Sequence, residues 1–63
     1  MKFARRSIVA NVRIPKGARI TADMVTFKRP GTGISPKFVG KVVGRKARRT
    51  IEEDEVIKFD AIS

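Results

Sequence analysis

An internal repeat with an offset of 37 residues constrains the fold of this chain more than any other feature of its sequence. Residues 14–25 align with residues 51–62, and the identities are Ile14 with Ile51, Ile20 with Ile57 and Asp23 with Asp60, preceded by Ala10 with Ala47. Each unit has the pattern of a strand, a turn, a short strand and a single helical turn. Neither unit can bury its apolar side alone. The repeat therefore predicts one compact fold with pseudo-twofold symmetry.

Short strands are predicted where β-branched residues cluster. Residues 7–10 (SIVA) and 25–28 (VTFK) have the length and composition of strands. Val42, Val43 and Ala47 are consistent with a further strand. Gly40 and Gly44 punctuate this part of the chain.

Helical structure is predicted only as single turns, because no segment sustains a 3.6-residue apolar period. Thr21 is placed to cap one such turn. Ser35 and Pro36 are placed to begin another, with proline at the first helical position. The predicted fold class is thus mostly β, with short strands and single helical turns.

The chain has 63 residues and contains neither Cys nor His, so it has no disulfide and no zinc clip to stabilise it. We predict one domain over residues 1–63. The net charge of +9 favours an anionic partner, either a nucleic acid, an acidic surface or a phosphorylated ligand. No apolar run has the length of a membrane span, and the first six residues do not resemble a signal peptide. A cytoplasmic location with no membrane partner is the default expectation.

No catalytic constellation is present in the sequence. Without His or Cys, acid–base chemistry would fall on six carboxylates, and four of them are crowded at positions 52–55. Four adjacent acids without glycine do not match a cation-binding loop. We interpret them as a solvated turn that offsets Arg48 and Arg49, and we predict that the chain is not an enzyme on its own.

Nucleic-acid binding is a weaker alternative, carried by basic pairs at Arg5 and Arg6, Arg45 and Lys46, and Arg48 and Arg49. Stacking on bases needs exposed aromatic side chains. We interpret Phe27, Phe38 and Phe59 as core residues, which disfavours nucleic-acid binding on sequence grounds.

The loop at residues 28–36 (KRPGTGISP) contains two prolines and two glycines. It lacks the Gly-Lys-Ser/Thr ending of a P-loop. Pro30 stiffens the backbone and disfavours the helical region for Arg29. An arginine presents a planar fork of donors, and a pre-aimed one loses less entropy on binding. The sequence of this loop therefore predicts that the loop is rigid and presents the Arg29 side chain.

These segments, in this order, resemble a known family. The matching segments are RRSIVA (5–10), IPKG (14–17), ITADM (20–24), KRPGTGI (28–34) and GK (40–41). Together they are similar to the C-terminal antifreeze-like (SAF) domain of sialic acid synthases, over nearly the whole chain. The resemblance implies a β-clip fold, in agreement with the repeat.

The resemblance also implies a function. In these synthases the domain follows a TIM-type barrel that condenses phosphoenolpyruvate with N-acetylmannosamine, using a divalent metal, Mn or Mg. The domain reaches across a domain-swapped homodimer and caps the partner's active site. Arg29 matches the arginine that contacts the sugar near its N-acetyl group, with Pro30, Gly31, Thr32 and Gly33 as its support. The metal and phosphoenolpyruvate ligands belong to the barrel, so no cofactor is expected in this domain.

The same fold includes the type III antifreeze proteins of fish, which makes ice binding an alternative. Their ice-binding face maps here onto Val12, Gly17, Ala18, Arg19, Thr21, Ala22, Asp23 and Met24. Arg19 and Asp23 would place strongly hydrated charges on this face, whereas ice matching needs a flat, weakly polar surface. We therefore favour the synthase domain.

Overall fold

The computed structural model describes residues 6–29 and 31–63, so Arg5 and Pro30, both named above, lie outside the described residues. Strand β1 (Ser7–Ala10) and strand β2 (Val25–Lys28) form a two-stranded antiparallel sheet. Ser7 pairs with Lys28 at one end and Ala10 pairs with Val25 at the other. Both strands have the predicted bounds.

Three short 3₁₀ helices complete the regular structure of the described residues, at Ala22–Met24, Pro36–Lys41 and Phe59–Ala61. Their positions confirm the two predicted helical turns, with Thr21 and Ser35 at the N-cap positions. Neither N-cap side chain hydrogen-bonds to the helix backbone. The Thr21 hydroxyl donates instead to the carboxylate of Asp23.

The pseudo-twofold symmetry is confirmed by the backbone hydrogen bonds. Ile14 and Ile51 face each other on the pseudo-axis and exchange two bonds, 2.7 and 2.8 Å between N and O. Other backbone bonds occur in pairs that the 37-residue offset relates. The bond from Gly17 N to Ala47 O corresponds to the bond from Asp54 N to Ala10 O. The bond from Ile20 N to Arg45 O corresponds to the bond from Ile57 N to Ile8 O. The two units of the sequence repeat therefore fold alike and close on each other.

The tight turn of each unit contains one residue with positive φ at the same place in the repeat. Gly17 has a φ of 87° and Asp54 has a φ of 69°. Glycine adopts this left-handed conformation without steric cost, and Asp tolerates it better than most other residues. The alignment of Gly17 with Asp54 thus has a conformational basis, although the two residues differ chemically.

The further strand predicted around Val42, Val43 and Ala47 is wrong in part. Val42 and Val43 lie in a turn, closed by a bond from Arg45 N to Val42 O of 3.1 Å. Gly44, with a φ of 94°, reverses the chain there. Ala47 does form an antiparallel bridge, with Ile62. Val42 is fully buried because it enters the core from this turn.

The core consists of small and branched aliphatic side chains around the pseudo-axis. The buried hydrophobic residues of the described part are Ile8, Val9, Ala10, Ile14, Ile20, Ile34, Val42, Ala47, Ile51, Ile57, Ala61 and Ile62. The interpretation of Phe27, Phe38 and Phe59 as core residues is wrong, since their exposed fractions are 40%, 37% and 54%. The repeated isoleucines already fill the narrow space between the two units, and the phenylalanine rings lie outside it.

Candidate functional site

The loop that carries Arg29 begins at the end of β2. Lys28, the last residue of that strand, forms an ion pair with Asp54 in the turn of the second repeat unit, 2.7 Å from Nζ to Oδ1. Arg29 follows in a bend and is exposed. Within the part of the chain that the structure describes, the Arg29 side chain forms no hydrogen bond or ion pair. Its guanidinium is therefore free to bind an external group.

The far end of the loop is fixed to β1 by two hydrogen bonds. The backbone N–H of Gly33 donates to the hydroxyl of Ser7, 2.9 Å away, and Ser7 is fully buried. The N–H of Ile8 donates to the carbonyl of Ile34, also at 2.9 Å. Ile34 is itself part of the core. The loop thus has an anchored base behind the exposed Arg29.

Gly33 is required by packing rather than by an unusual backbone angle. A Cβ at this position would overlap Cγ1 of Val56 and would lie 3.4 Å from Cβ of Ser7. The absence of a side chain lets the loop lie directly against β1 and the second repeat unit. The two ends of the loop therefore contact the same unit, through Lys28 to Asp54 and through Gly33 to Val56.

Two surface clefts border the loop. The larger, about 510 Å³, is lined by Arg6, Gly31, Gly33, Ser35, Pro36, Lys37 and Phe38. The smaller, about 220 Å³, is lined by Thr32, Gly33, Ile34, Lys58 and Phe59. The supporting residues Gly31, Thr32 and Gly33 thus form the wall between the two clefts.

The acidic run at 52–55 is a turn held by local ion pairs, as predicted for Arg49 but not for Arg48. The Arg49 guanidinium lies 2.6 Å from the Glu55 carboxylate, and Arg13 lies 3.5 Å from Glu52. The hydrogen bond from Arg49 and a second one from the backbone N–H of Glu52 lower the pKa of the Glu55 carboxyl. The same contact raises the pKa of Arg49.

No metal site is apparent in the described residues. No group of three or more Asp or Glu side chains there is placed to hold a metal ion. No helix in residues 6–29 and 31–63 is long and apolar enough to cross a membrane.

The alternative ice-binding face is only partly a surface. Val12, Gly17, Thr21 and Ala22 are exposed, whereas Ala18 and Met24 are partly buried against the core. Charges interrupt the face, since Asp23 accepts the Thr21 hydroxyl bond and Arg19 Nη1 donates to the carbonyl of Gly44 at 2.5 Å. Ice binding stays an untested alternative, as does nucleic-acid binding, for which the exposed phenylalanines remove one sequence-based objection.

Comparison with known proteins identifies the family. Residues 5–63 match the SAF domain model, and the chain belongs to this family. An antifreeze-like domain of human N-acetylneuraminic acid phosphate synthase, solved in solution, superposes with a TM-score of 0.87 at 38% identity. That match covers 90% of this chain and 73% of the solved chain. The predicted antifreeze-like β-clip fold is thereby confirmed.

Longer relatives carry the same domain as a small part. An uncharacterized protein of Methanocaldococcus jannaschii is 46% identical over 57 residues, which is 90% of this chain and 17% of that protein. Human N-acetylneuraminate-9-phosphate synthase is 42% identical over 58 residues, again 90% of this chain and 16% of the synthase. The chain thus spans about a sixth of the length of these relatives and is similar to a domain of sialic acid synthases.

The sequence predicted the loop but not its surroundings. The assignment of Arg29 to substrate binding, with Gly31, Thr32 and Gly33 as support, stays a prediction, and Pro30 lies outside the described residues. Sequence reasoning missed Ser7 as the anchor of the loop, and it missed the cleft beside it. Pro36 did indicate the helical turn that carries Lys37, but a single sequence has no signal that Arg6 lines the same cleft.

Proposed function

We propose that this chain is the substrate-capping domain of a nonulosonic acid synthase. In this role it presents Arg29 to an N-acetylmannosamine-type sugar, which the barrel of the partner subunit condenses with phosphoenolpyruvate. The observation that carries the proposal is the exposed, unpaired Arg29 on a loop whose far end is anchored to buried Ser7 and Ile8. Family membership and similarity to a sialic acid synthase support it.

The physical role of Arg29 follows from its chemistry. A guanidinium offers several N–H donors in one plane, which suits a carbonyl or carboxylate oxygen. A donor held on an anchored loop gives up less conformational freedom when it binds than a donor on a mobile chain. The domain itself supplies no acid, base or metal ligand to the condensation. Its contribution is to orient the sugar and to exclude water from the site.

The remaining parts of the enzyme are assigned to the barrel. We propose that the phosphoenolpyruvate site and the divalent metal lie there, and that the cap acts in trans within a domain-swapped homodimer. The high positive charge would help this small domain dock on an acidic barrel surface, since opposite charges steer association.

A domain exchange tests the proposal. The matching segment of human N-acetylneuraminate-9-phosphate synthase would be replaced by this chain and compared with the same enzyme lacking the segment. The native segment, rejoined through the same junctions, is the control. We expect the exchanged enzyme to have a condensation activity well above that of the truncated enzyme. The activity is measured with N-acetylmannosamine and with its 6-phosphate. Activity equal to that of the truncated enzyme, in a folded dimer, would contradict the proposal.

A further inference from the structure

Among the described residues, the larger cleft beside the loop is lined by two cations and by no carboxylate. Arg6 and Lys37 both line it, together with Ser35, Gly31 and Gly33. The acidic residues of the described part lie elsewhere, at Asp23, Glu52, Glu53, Asp54, Glu55 and Asp60. The charged side chains that line this cleft in the described part of the chain are therefore all positive.

The cations of the cleft are not neutralised within the protein. Across residues 6–29 and 31–63, the ion pairs involve Arg13, Lys28 and Arg49, and neither Arg6 nor Lys37 takes part in one. An unpaired arginine and an unpaired lysine that line one concave site are suited to bind an oxyanion.

Phe38 limits the freedom of the lysine side chains at this cleft. The Nζ atom of Lys37 lies 5.2 Å from the centre of the Phe38 ring, and that of Lys41 lies 5.6 Å from it. A cation over an aromatic ring is attracted by the ring electrons. Phe38 lines the cleft, so this attraction favours positions of the two ammonium groups close to one of its lining residues.

The cleft and Arg29 lie on the same loop. Gly31 lines the cleft and is two residues from Arg29 in the sequence, so the cleft borders the loop that carries Arg29. We infer that the cleft is a subsite for an anionic substituent, a phosphate monoester, on the sugar whose acetamido group Arg29 would bind. The identity of the ligand as a sugar rests on the proposed function, whereas the preference for an oxyanion rests on the cleft alone.

The test is a titration of the 63-residue chain followed by NMR. The ligands are N-acetylmannosamine 6-phosphate, N-acetylmannosamine and inorganic phosphate, each at the same ionic strength. We expect the phosphorylated sugar to shift the amides of Gly31, Gly33, Ser35 and Lys37, with a millimolar dissociation constant. We expect inorganic phosphate to bind more weakly at the same amides, and the neutral sugar to cause no comparable shift.

Matched variants separate the cleft from the general charge of the protein. Arg6→Gln with Lys37→Gln removes the two cleft cations, and Arg45→Gln with Lys16→Gln removes two exposed cations outside it. Both double variants lower the net charge equally. The cleft variant should bind the phosphorylated sugar at least about tenfold more weakly, and the control should bind it as the unchanged chain does. The single variant Lys37→Gln should lose an intermediate amount of affinity for the phosphorylated sugar. It replaces the double variant in the test if the double variant does not fold.

Several results would overturn the inference. These are the absence of any shift with the phosphorylated sugar, an equal loss in the two double variants, or equal binding of the neutral sugar. Inorganic phosphate binding as tightly as the sugar phosphate would overturn the assignment to a sugar. Cleft binding with an inactive domain exchange would contradict only the proposed function. An active exchange without cleft binding would contradict only this inference.

Discussion

The backbone N–H of Gly33 donates a hydrogen bond of 2.9 Å to the hydroxyl of Ser7, which is fully buried although the two residues are far apart in sequence. This contact joins the loop that carries Arg29 to the first strand of the fold. A neighbouring bond from Ile8 to Ile34 fixes the next residue of the loop. The far end of the loop that carries the exposed arginine is thus tied to the core.

Replacing Gly33 by alanine should loosen this junction. The new Cβ would overlap Val56, so the loop or the second repeat unit must shift. We expect a loss of about 1–3 kcal/mol in the free energy of unfolding, measured by urea denaturation. Gly40→Ala is the control, because a Cβ there meets nothing within 4 Å and the φ of Gly40 is not positive. Equal stability of the two variants would contradict this account of the loop.

Replacing Ser7 by alanine should leave the Gly33 N–H without its buried acceptor. A lost partner of this kind costs about 1–3 kcal/mol. Hydrogen exchange of the Gly33 amide should be faster in Ser7→Ala than in the unchanged chain. Ser35→Ala is the comparison, since Ser35 makes no capping bond with its side chain. If exchange at Gly33 is the same in both variants, Ser7 is not the anchor.

The left-handed residue of the second turn offers a test of the repeat. Asp54→Gly and Asp54→Ala both remove the ion pair with Lys28, but only alanine must adopt the φ of 69° with a Cβ and no side-chain polar group. We expect the alanine variant to be about 1 kcal/mol less stable than the glycine variant. Gly17→Ala in the related turn should lose a similar amount. Equal thermal stability of Asp54→Ala and Asp54→Gly would contradict this account of the turn.

The pair of Arg49 and Glu55 predicts a dependence of stability on pH. The pKa of Glu55 is lowered in the folded protein, so its contribution is fully present above the ordinary glutamate value of about 4.3. That contribution is lost as the pH falls through the lowered folded value. The difference in stability between the unchanged chain and Glu55→Gln should therefore be constant near neutral pH and shrink below about pH 4.

Glu53→Gln provides the matched control for this pH experiment. Glu53 is exposed and takes part in none of the ion pairs of the described residues. Its removal should leave the acid limb of the stability curve nearly unchanged. A constant gap between the unchanged chain and Glu55→Gln down to pH 2 would show that the carboxylate is not stabilised by folding.

The fold was predictable where the two repeat units have the same type of residue at related buried positions. Ile14 and Ile51 occupy related buried positions, and both strands were correctly bounded by their β-branched residues. The phenylalanines were misassigned because hydrophobicity alone does not indicate how little space the core of a 63-residue chain has for aromatic rings. Val42 was misassigned to a strand because the turn at Gly44 depends on a bond to distant Ile20.

The site was predictable only as a loop. Two prolines and two glycines indicate a rigid turn, and the family resemblance directs attention to Arg29. The cleft is lined by Arg6, which precedes β1, and by Lys37, in the helix Pro36–Lys41, so its existence depends on the tertiary fold. The anchor at Ser7 was equally hidden, because a serine in a strand is ordinarily on the surface.

The central claim is that Arg29 orients the sugar in a synthase. The most direct measurement is kcat/KM for the sugar in the exchanged human synthase, with Arg29→Ala compared with Arg45→Ala, another exposed arginine. Arg29→Lys, which keeps the charge but not the planar fork, should be intermediate. We predict a loss of about tenfold or more for Arg29→Ala, with KM for phosphoenolpyruvate unchanged. A value for Arg29→Ala equal to that of the Arg45 control would contradict the claim.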